Sequence, residues 1–121
     1  MNLEEIREYC LLKPEVTESL PFDDTSLVFK VNNKIFAILS LDNPALINLK
    51  CDPQIAIELR ERYPFVIPGY HMNKQHWNSI MLEELTHDEL LRSWIDDSYL
   101  LIVASMPKKD RERILAILGK A

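Results

Sequence analysis

The residues best equipped to contact a partner lie between Pro68 and Asn78. These eleven residues include a glycine, two histidines, two large aromatic side chains and several amides. Amide and lysine side chains donate hydrogen bonds to phosphates and to the edges of bases. The segment is therefore suited to polar recognition, and its residue types impose no particular reaction.

Strand-favouring residues occupy positions 65–72 and 76–82, on the two sides of residues 73–75. Residues 73–75 are accordingly predicted to form the tip of a β-hairpin. A second tip is predicted at Asn32 and Asn33, because asparagine tolerates the positive φ of a tight turn between two strands. A nucleic-acid hypothesis assigns phosphate or base contacts to both tips, through Lys30, Asn32, Asn33, Lys34, Asn73, Lys74, Gln75, His76 and Asn78.

Two other interpretations fit the same residues. In the first, Tyr70 and Trp77 pack against the sheet and Asn73 stabilises a turn, so the segment is purely structural. In the second, the tips contact a protein partner. The nucleic-acid interpretation also requires both tips to point the same way, because isolated surface lysines are common.

The sequence contains no pattern that specifies catalysis, a cofactor or a metal. No local motif pairs a nucleophile with a base, and the two glycines lie too far apart for a phosphate loop. A zinc-like ion would need His71 and His76, with Cys51 or His87 brought near by the fold. Hydrogen-bonded histidines are the simpler interpretation. We therefore expect a protein that is not an enzyme and holds neither cofactor nor metal.

Length and composition predict one globular domain over residues 1–121. The apolar fraction of 47% and the charged fraction of 27% are ordinary for a chain with a single core. The first ten residues lack the basic start and apolar centre of a signal peptide, and no apolar run approaches a membrane span. We expect a cytoplasmic protein without a membrane partner, in which Cys10 and Cys51 stay reduced.

The net charge of −5 is unevenly distributed along the chain. Residues 1–24 have two basic and seven acidic side chains, residues 25–82 six and four, and residues 83–121 six and eight. The middle, which contains both predicted tips, is the least acidic part. Because phosphate affinity depends on clustered basic groups, DNA binding is expected to be weak and sensitive to salt. The alternative function is binding to a protein partner, for which an acidic surface suits basic groups.

Three helix-start signals divide the chain, namely two capping boxes and a capping aspartate followed by proline. They lie at Asn2 with Glu5, at Thr86 with Glu89, and at Asp52 with Pro53. The predicted helices end near residues 12, 63 and 105, and a short amphipathic helix follows at 108–118. Residues 99–104 are continuously apolar and fit a buried strand as well as a helix, although the absence of a turn signal favours helix.

Strand-like runs lie between the first two helices. Residues 14–25 are rich in turn-forming types, and Phe22 is predicted to anchor this connection by packing. Three runs rich in β-favouring residues follow and predict an antiparallel meander. They span 26–31, 34–41 and 45–50, with Asp42, Asn43 and Pro44 before the last. The residues predicted to lie in the core are Ile6, Phe36, Leu59, Trp94 and Ile95.

Four segments occur in an order and spacing typical of one family. They are Asn48-Leu49-Lys50-Cys51-Asp52-Pro53, Pro68-Gly69-Tyr70-His71-Met72-Asn73-Lys74, His76-Trp77-Asn78, and Ser98-Tyr99 through Ser105-Met106-Pro107-Lys108-Lys109. Together they resemble the MmcQ/YjbR family of small bacterial single-domain proteins over nearly the whole chain. The resemblance implies an α+β fold with two layers in the order α-β3-α-β2-α, in which helices cover one face of an antiparallel sheet, similar to type III secretion chaperones. It also implies DNA binding through paired hairpins that form a double wing, and it brings no catalytic residues.

Overall fold

The computed structural model describes residues 1–42 and 44–120, so Asn43 of the predicted turn and Ala121 of the predicted domain lie outside the described residues. Within these ranges the chain forms four helices and six strands. The helices are α1 Leu3–Leu11, α2 Pro53–Arg62, α3 Asp88–Ala104 and α4 Lys108–Ile117. The strands are β1 Val16–Ser19, β2 Ser26–Val31, β3 Lys34–Ser40, β4 Leu46–Lys50, β5 Val66–Pro68 and β6 Trp77–Met81. None of the described helices combines the length and the apolar character needed to cross a membrane.

The six strands form one antiparallel sheet in the order β1-β2-β3-β4-β6-β5. The predicted α+β fold is confirmed, and residues 99–104 are helical. Strand β1 corrects the prediction for residues 14–25, which were expected to form a turn-rich connection. Its four residues alternate between half-buried and exposed at the edge of the sheet. So short and polar a run lacks the apolar pattern by which strands are recognised.

The second hairpin differs from its prediction in the length of its strands. Strands β5 and β6 end at Pro68 and begin at Trp77, so residues 69–76 form an eight-residue loop in place of the three-residue tip expected at 73–75. His71 in this loop has a φ of 59°, which is incompatible with a continuing strand. The strand-favouring residues 70–72 therefore belong to the loop.

The first helix begins as its capping signal predicts. The Oδ1 atom of Asn2 accepts a hydrogen bond from the amide of Glu5 at 2.8 Å, and the Glu5 carboxylate accepts one from the amide of Asn2 at 3.0 Å. Asp52 likewise caps α2 through the amide of Gln54 at 3.0 Å. These signals succeed because all their partners lie within one helical turn.

The capping box predicted at Thr86 and Glu89 does not form. Helix α3 begins one residue later than expected, and its N-cap residue His87 makes no side-chain capping bond. The Asp88 carboxylate in the first turn instead accepts a hydrogen bond from the terminal ammonium group of Met1 at 2.7 Å. A contact between distant parts of the chain thus replaces the local cap, and no local pattern could have indicated it.

The core lies between the helices and one face of the sheet. Helix α3 packs across β2, β3 and β4, whereas α2 packs on β5 and β6 and α1 on β1. Of the residues predicted for the core, Leu59 is half-buried at the edge and the others, Ile6, Phe36, Trp94 and Ile95, are buried. The prediction for Phe22 is wrong, since 67% of this residue is exposed. It lies beyond the end of β1, beside the sheet face that the helices leave uncovered.

Helix α3 is joined to the sheet by two adjacent polar side chains. The Ser98 hydroxyl is buried, donates a hydrogen bond to the carbonyl of Phe36 at 2.5 Å and accepts one from the amide of Lys50 at 2.9 Å. The Tyr99 hydroxyl donates to the carbonyl of Pro14 at 2.7 Å. Helix α3 therefore fixes the positions of β3, which begins at the first predicted tip, and of β4, which ends at the start of the link to α2.

Candidate functional site

The tip between β2 and β3 is a tight turn as predicted. Asn32 and Asn33 have φ values of 50° and 62°, and Val31 pairs directly with Lys34. Positive φ at both central residues is the geometry of the hairpin turn that matches the twist of its strands. Asn32, Asn33 and Lys34 are all exposed, so their side chains are accessible to a partner.

Lys30 precedes this tip on the uncovered face of the sheet. Its neighbours Phe29 and Val31 both belong to the core under the helices. Successive strand residues point to opposite faces, which directs the Lys30 side chain away from the helices. Lys30 and Lys34 therefore lie at the same end of the sheet, one on its face and one at its tip.

The loop 69–76 is held by its own main chain and by Asn73. Gly69 passes so close to Trp77 that a Cβ atom at Gly69 would lie 2.8 Å from the Trp77 Cβ atom. The Oδ1 atom of Asn73 accepts hydrogen bonds from the amides of Gln75 at 2.9 Å and His76 at 3.2 Å. This bonding occupies one oxygen of Asn73, which stabilises the loop in the way that the structural interpretation expects.

The other residues of this loop differ in how available they are. The Lys74 ammonium group donates a hydrogen bond to the carbonyl of Gly69 at 2.8 Å, and the Arg60 guanidinium group donates to the carbonyl of Lys74. Gln75 and His76 are exposed and make no side-chain hydrogen bond within the described ranges. Lys74 is exposed but held by its bond to Gly69, whereas the side chains of Gln75 and His76 are exposed and available to a partner.

Asn78 is not accessible to any partner. Only 2% of its surface is exposed, and its Oδ1 atom accepts a hydrogen bond from Nε of Arg60 at 2.7 Å. Its amide group donates to the carbonyl of Ala56 at 3.3 Å. Asn78 thus joins β6 to α2 on the covered face of the sheet, and its predicted contact with nucleic acid is corrected to a structural role.

Both tips lie at one end of the sheet, which we call the hairpin end. Strand β3 starts from the first tip and runs antiparallel to β4, and β6 starts from the loop 69–76 and also runs antiparallel to β4. The start of β3 and the start of β6 therefore face the same direction. The first tip lies between β2 and β3 and the loop 69–76 lies between β6 and β5, so their centres are about three strand spacings, or roughly 14 Å, apart.

Lys50 adds a further cation to the hairpin end. It is the last residue of β4 and pairs with Trp77, the first residue of β6. Leu49 belongs to the core under the helices, so alternation directs the Lys50 side chain to the uncovered face. Sequence reasoning omitted Lys50, although its place at the end of a strand antiparallel to the first hairpin was a usable signal. The lysines at the hairpin end are thus Lys30, Lys34, Lys50 and Lys74.

The opposite end of the sheet is acidic. The Thr25 hydroxyl donates hydrogen bonds to the carboxylates of Asp42 at 2.9 Å and Asp23 at 3.3 Å, which places both acids beside the β3–β4 connection. The amides and hydroxyls of Thr25 and Ser26, four donors in all and the Thr25 amide foremost, hold the pKa of Asp23 below its usual value. The turn after β6 adds further carboxylates there, so that this acidic end contains Asp23, Asp24, Asp42, Glu83 and Glu84.

The uncovered face of the sheet contains an apolar hollow that the sequence analysis did not anticipate. Its volume is about 860 Å³, and it extends from the loop 69–76 to the acidic end. Phe22 and Tyr70 stand on its rim with 67% and 56% of their surfaces exposed. The half-buried apolar residues that alternate with the core of β3 were the available signal, since a strand that is apolar on both sides has two faces to cover. The apolar lining comprises Phe22, Ile35, Ile38, Leu46, Ile67, Tyr70, Met72 and Met81.

The histidines and Cys51 are not assembled into a metal site. Among the described residues, no group of three histidine, cysteine, aspartate or glutamate side chains is placed to hold an ion. Burial and the carboxylates of Asp52 and Asp97 raise the pKa of Cys51 to about 11, so its thiol stays protonated at neutral pH. A protonated thiol is a poor metal ligand.

The chain is similar to proteins from several bacteria. It is 40% identical to the YbdF protein of Escherichia coli O157:H7 over 112 residues, which cover 92% of each chain. It is 29% identical to the YjbR protein of Escherichia coli K12 over 118 residues, which cover 97% of this chain and 100% of that one. The similarity thus extends over almost the full length of each relative.

Solved structures share the fold. The crystal structure of Deinococcus radiodurans protein DR2400, which has a DUF419 domain, matches with a TM-score of 0.86 and 34% identity over 93% of this chain and 87% of that one. A crystal structure of a Pseudomonas syringae protein matches with a TM-score of 0.73 and 28% identity over 84% of this chain and 98% of that one. The family model described as YjbR matches residues 11–101. The order of strands and helices, the near full-length relatives and this match together show that the chain belongs to the YjbR family.

Proposed function

We propose that this protein binds nucleic acid weakly through the hairpin end of its sheet. The observation that supports the proposal is the separation of charge along the strands. Lysines at both tips and at the end of β4 gather at the hairpin end, and five carboxylates gather at the acidic end. Phosphate affinity depends on local basic groups, so a net charge of −5 does not prevent it.

The spacing of the tips supports contact with one short segment of nucleic acid. A separation of roughly 14 Å is comparable with the width of the major groove, which is about 12 Å. Trp77 is half-buried and pairs with Lys50 at this end of the sheet, which places an aromatic residue among the lysines. Single-stranded nucleic acid uses such combinations of basic and aromatic side chains. On the covered face this end also carries Asp52 and Asp97, which restricts the proposed contact to the tips and the uncovered face.

The test is the binding of labelled duplex and single-stranded DNA at two salt concentrations. With three or four phosphate contacts, the logarithm of the affinity for duplex DNA is expected to fall with the logarithm of salt at a slope of about −3. Lys34→Gln is expected to reduce this slope by about one, because Lys34 is exposed and makes no ion pair with the described residues.

Arg92→Gln is the matched control. It changes the net charge by the same amount, but Arg92 lies in the first half of α3, one turn from Asp88 and away from Ser98, which reaches the hairpin end. The proposal predicts an unchanged slope for this variant. Equal effects of the two substitutions, or no binding at low salt where nonspecific contacts are strongest, would remove the nucleic-acid function.

The hollow on the uncovered face favours a second function, the binding of a basic, apolar peptide segment of another protein. Its lining includes Asp23 and Asp42 and contains no lysine or arginine. Apolar side chains of such a segment would cover Ile38 and Met81, and its cations would lie at the acidic end. A second copy of this chain fits less well, because the same carboxylates would face each other.

Synthetic octapeptides that alternate leucine with lysine or leucine with glutamate test this second function. The lysine peptide is expected to bind and to shift the amide resonances of Ile38 and Met81, and the glutamate peptide is expected not to. Phe22→Ser should weaken binding, while Ile117→Ser, which removes a comparably exposed side chain on α4, should not. Equal binding of both peptides would indicate nonspecific apolar contact and exclude this function.

A further inference from the structure

Helices α2 and α3 leave an open cleft above the middle of the sheet. Helix α3 packs across β2, β3 and β4, and α2 packs on β5 and β6, so the boundary between β4 and β6 lies between the two helices. Leu49 of β4 and Ile80 of β6 form the floor of a cavity of about 520 Å³. This volume lies within the range of small-molecule sites, roughly 300–1,000 Å³.

The walls of the cleft are apolar, including side chains at its rim. Trp94 of α3 and Leu59 of α2 both line the cleft above this floor. Ile55 and Leu101 at the rim have 48% and 36% of their surfaces exposed, although both are large and apolar. Apolar groups that converge on one opening lose their contact with water when a ligand fills it, which is the main source of affinity at such sites.

The polar groups at the mouth favour a cation. Asn78 is already paired with Arg60, and Asp52 caps the amides of α2. Asp97 is exposed at the mouth and makes no hydrogen bond or ion pair with any described residue. Partial burial and the neighbouring carboxylate of Asp96 raise the pKa of Asp97, so its negative charge is destabilised where it stands. A nearby cation would stabilise the charged form of the Asp97 carboxylate.

The cations near the mouth are engaged elsewhere. The Arg60 guanidinium group, which lies near Cys51, donates hydrogen bonds to Asn78 and to the carbonyl of Lys74. Lys50 contributes its main chain, since its amide bonds to Ser98 and strand alternation directs its side chain to the opposite face. The thiol of Cys51 remains protonated, because burial and two carboxylates raise its pKa to about 11. The chemistry of the mouth is therefore that of one unpaired carboxylate beside a neutral thiol.

We propose that this cleft binds a small amphiphilic amine, with its apolar body against Leu49, Ile80 and Trp94 and its ammonium group paired with Asp97. The site is on the covered face of the sheet. It is separate from the hairpin tips and from the hollow on the other face, and its occupancy does not depend on either proposed function.

Three probes with one naphthalene body and different head groups test the proposal. They are 1-naphthylmethylamine, 1-naphthalenemethanol and 1-naphthoate, titrated into the ¹⁵N-labelled full chain while amide resonances are followed. Each probe that binds should shift Leu49, Ile80 and Leu101. The amine is expected to bind about fivefold to tenfold more tightly than the alcohol, which corresponds to one charge-assisted hydrogen bond at a partly exposed site, and the carboxylate should bind most weakly.

Two matched pairs of variants separate the cleft from general effects. Ala104→Phe fills the exposed end of the cleft and should reduce affinity for all probes at least fivefold, whereas Ala116→Phe, at an exposed position on α4, should not. Asp97→Asn should abolish the preference for the amine over the alcohol, and Glu89→Gln, an equal change of charge elsewhere on α3, should preserve it.

Several outcomes would overturn the proposal. They are shifts outside the cleft, equal binding of the amine and the carboxylate, and a preference for the amine that survives Asp97→Asn. Shifts of the cleft residues that depend on protein concentration without any probe would assign the cleft to self-association instead. Salt-dependent DNA binding is measured separately, so failure here leaves the hairpin-end proposal unaffected.

Discussion

Replacement of Ser98 by alanine tests the strongest polar connection between helix and sheet. The register of β3 and β4 ends at the pair of Ala37 and Leu49, and the next residues along the two strands are Phe36 and Lys50. At that position the Ser98 hydroxyl lies between the strands, donating to the Phe36 carbonyl at 2.5 Å and accepting from the Lys50 amide at 2.9 Å. Ser98→Ala removes both bonds at a residue with no exposed surface.

The expected loss of stability follows from the two main-chain groups left without partners. Each buried group that loses its hydrogen bond costs about 1–3 kcal/mol, and partial relaxation of the strands recovers some of this. The free energy of unfolding should therefore fall by roughly 2–4 kcal/mol, with little change in buried area. For a chain of 121 residues this corresponds to a decrease in Tm of roughly 8–16 °C.

Urea unfolding followed by tryptophan fluorescence measures this loss. The control is Ser105→Ala, because the Ser105 hydroxyl donates at 2.7 Å to the carbonyl of Ile102 at the exposed end of the same helix. The control should lose less than about 0.5 kcal/mol. A loss below about 1 kcal/mol in Ser98→Ala, with an unchanged m-value, would contradict this prediction. It would mean that the two strands close and pair directly.

Three further predictions concern other groups. Burial raises the pKa of Cys10 to about 12 and that of Cys51 to about 11, so the native protein should react slowly with Ellman's reagent at about pH 8 and titrate two thiols once denatured; rapid native reaction would contradict this. The Arg7 guanidinium group, by hydrogen bond and charge, lowers the pKa of Glu18 below 4.5, so this pair stabilises the fold above that pH and is lost as pH falls through the lowered pKa. The Tm of the Glu18→Gln variant should therefore decrease less than that of the unchanged protein between about pH 5 and pH 3. Equal decreases in the two proteins would contradict this prediction. Asn33 has a φ of 62°, so Asn33→Ala should cost about 1 kcal/mol in urea unfolding and Asn33→Gly nothing; equal stability of the two variants would exclude the left-handed turn.

Local signals in the sequence were sufficient for most of the elements. The caps at Asn2 and Asp52 and the turn at Asn32 and Asn33 are each complete within a few residues, so their prediction needs no tertiary contact. The apolar run at 99–104 formed a helix because it continues an uninterrupted helical pattern from Asp88. The segments shared with the YjbR family were also sufficient to predict the fold.

The site was predicted less completely than the fold. Lys30 and Lys34 stand where the first hairpin was expected, but Asn78 faces the helices and Lys74 is bonded to Gly69. The sequence of a strand indicates that successive residues point to opposite faces of the sheet, but it does not indicate which face a helix covers. Asn78 is buried because Arg60 and Ala56 of α2 occupy the side to which it points.

Which separate elements meet depends on tertiary packing. The helices, most strands, the first tip and the uneven distribution of charge follow directly from the sequence, because they depend on residues that are close along the chain. The hairpin end exists because antiparallel pairing brings Lys34 and Lys50 to the same end of the sheet. The cleft exists because α2 and α3 settle on different strands. Both depend on contacts between residues that are distant in sequence. A local pattern of residue types does not indicate which of these contacts form.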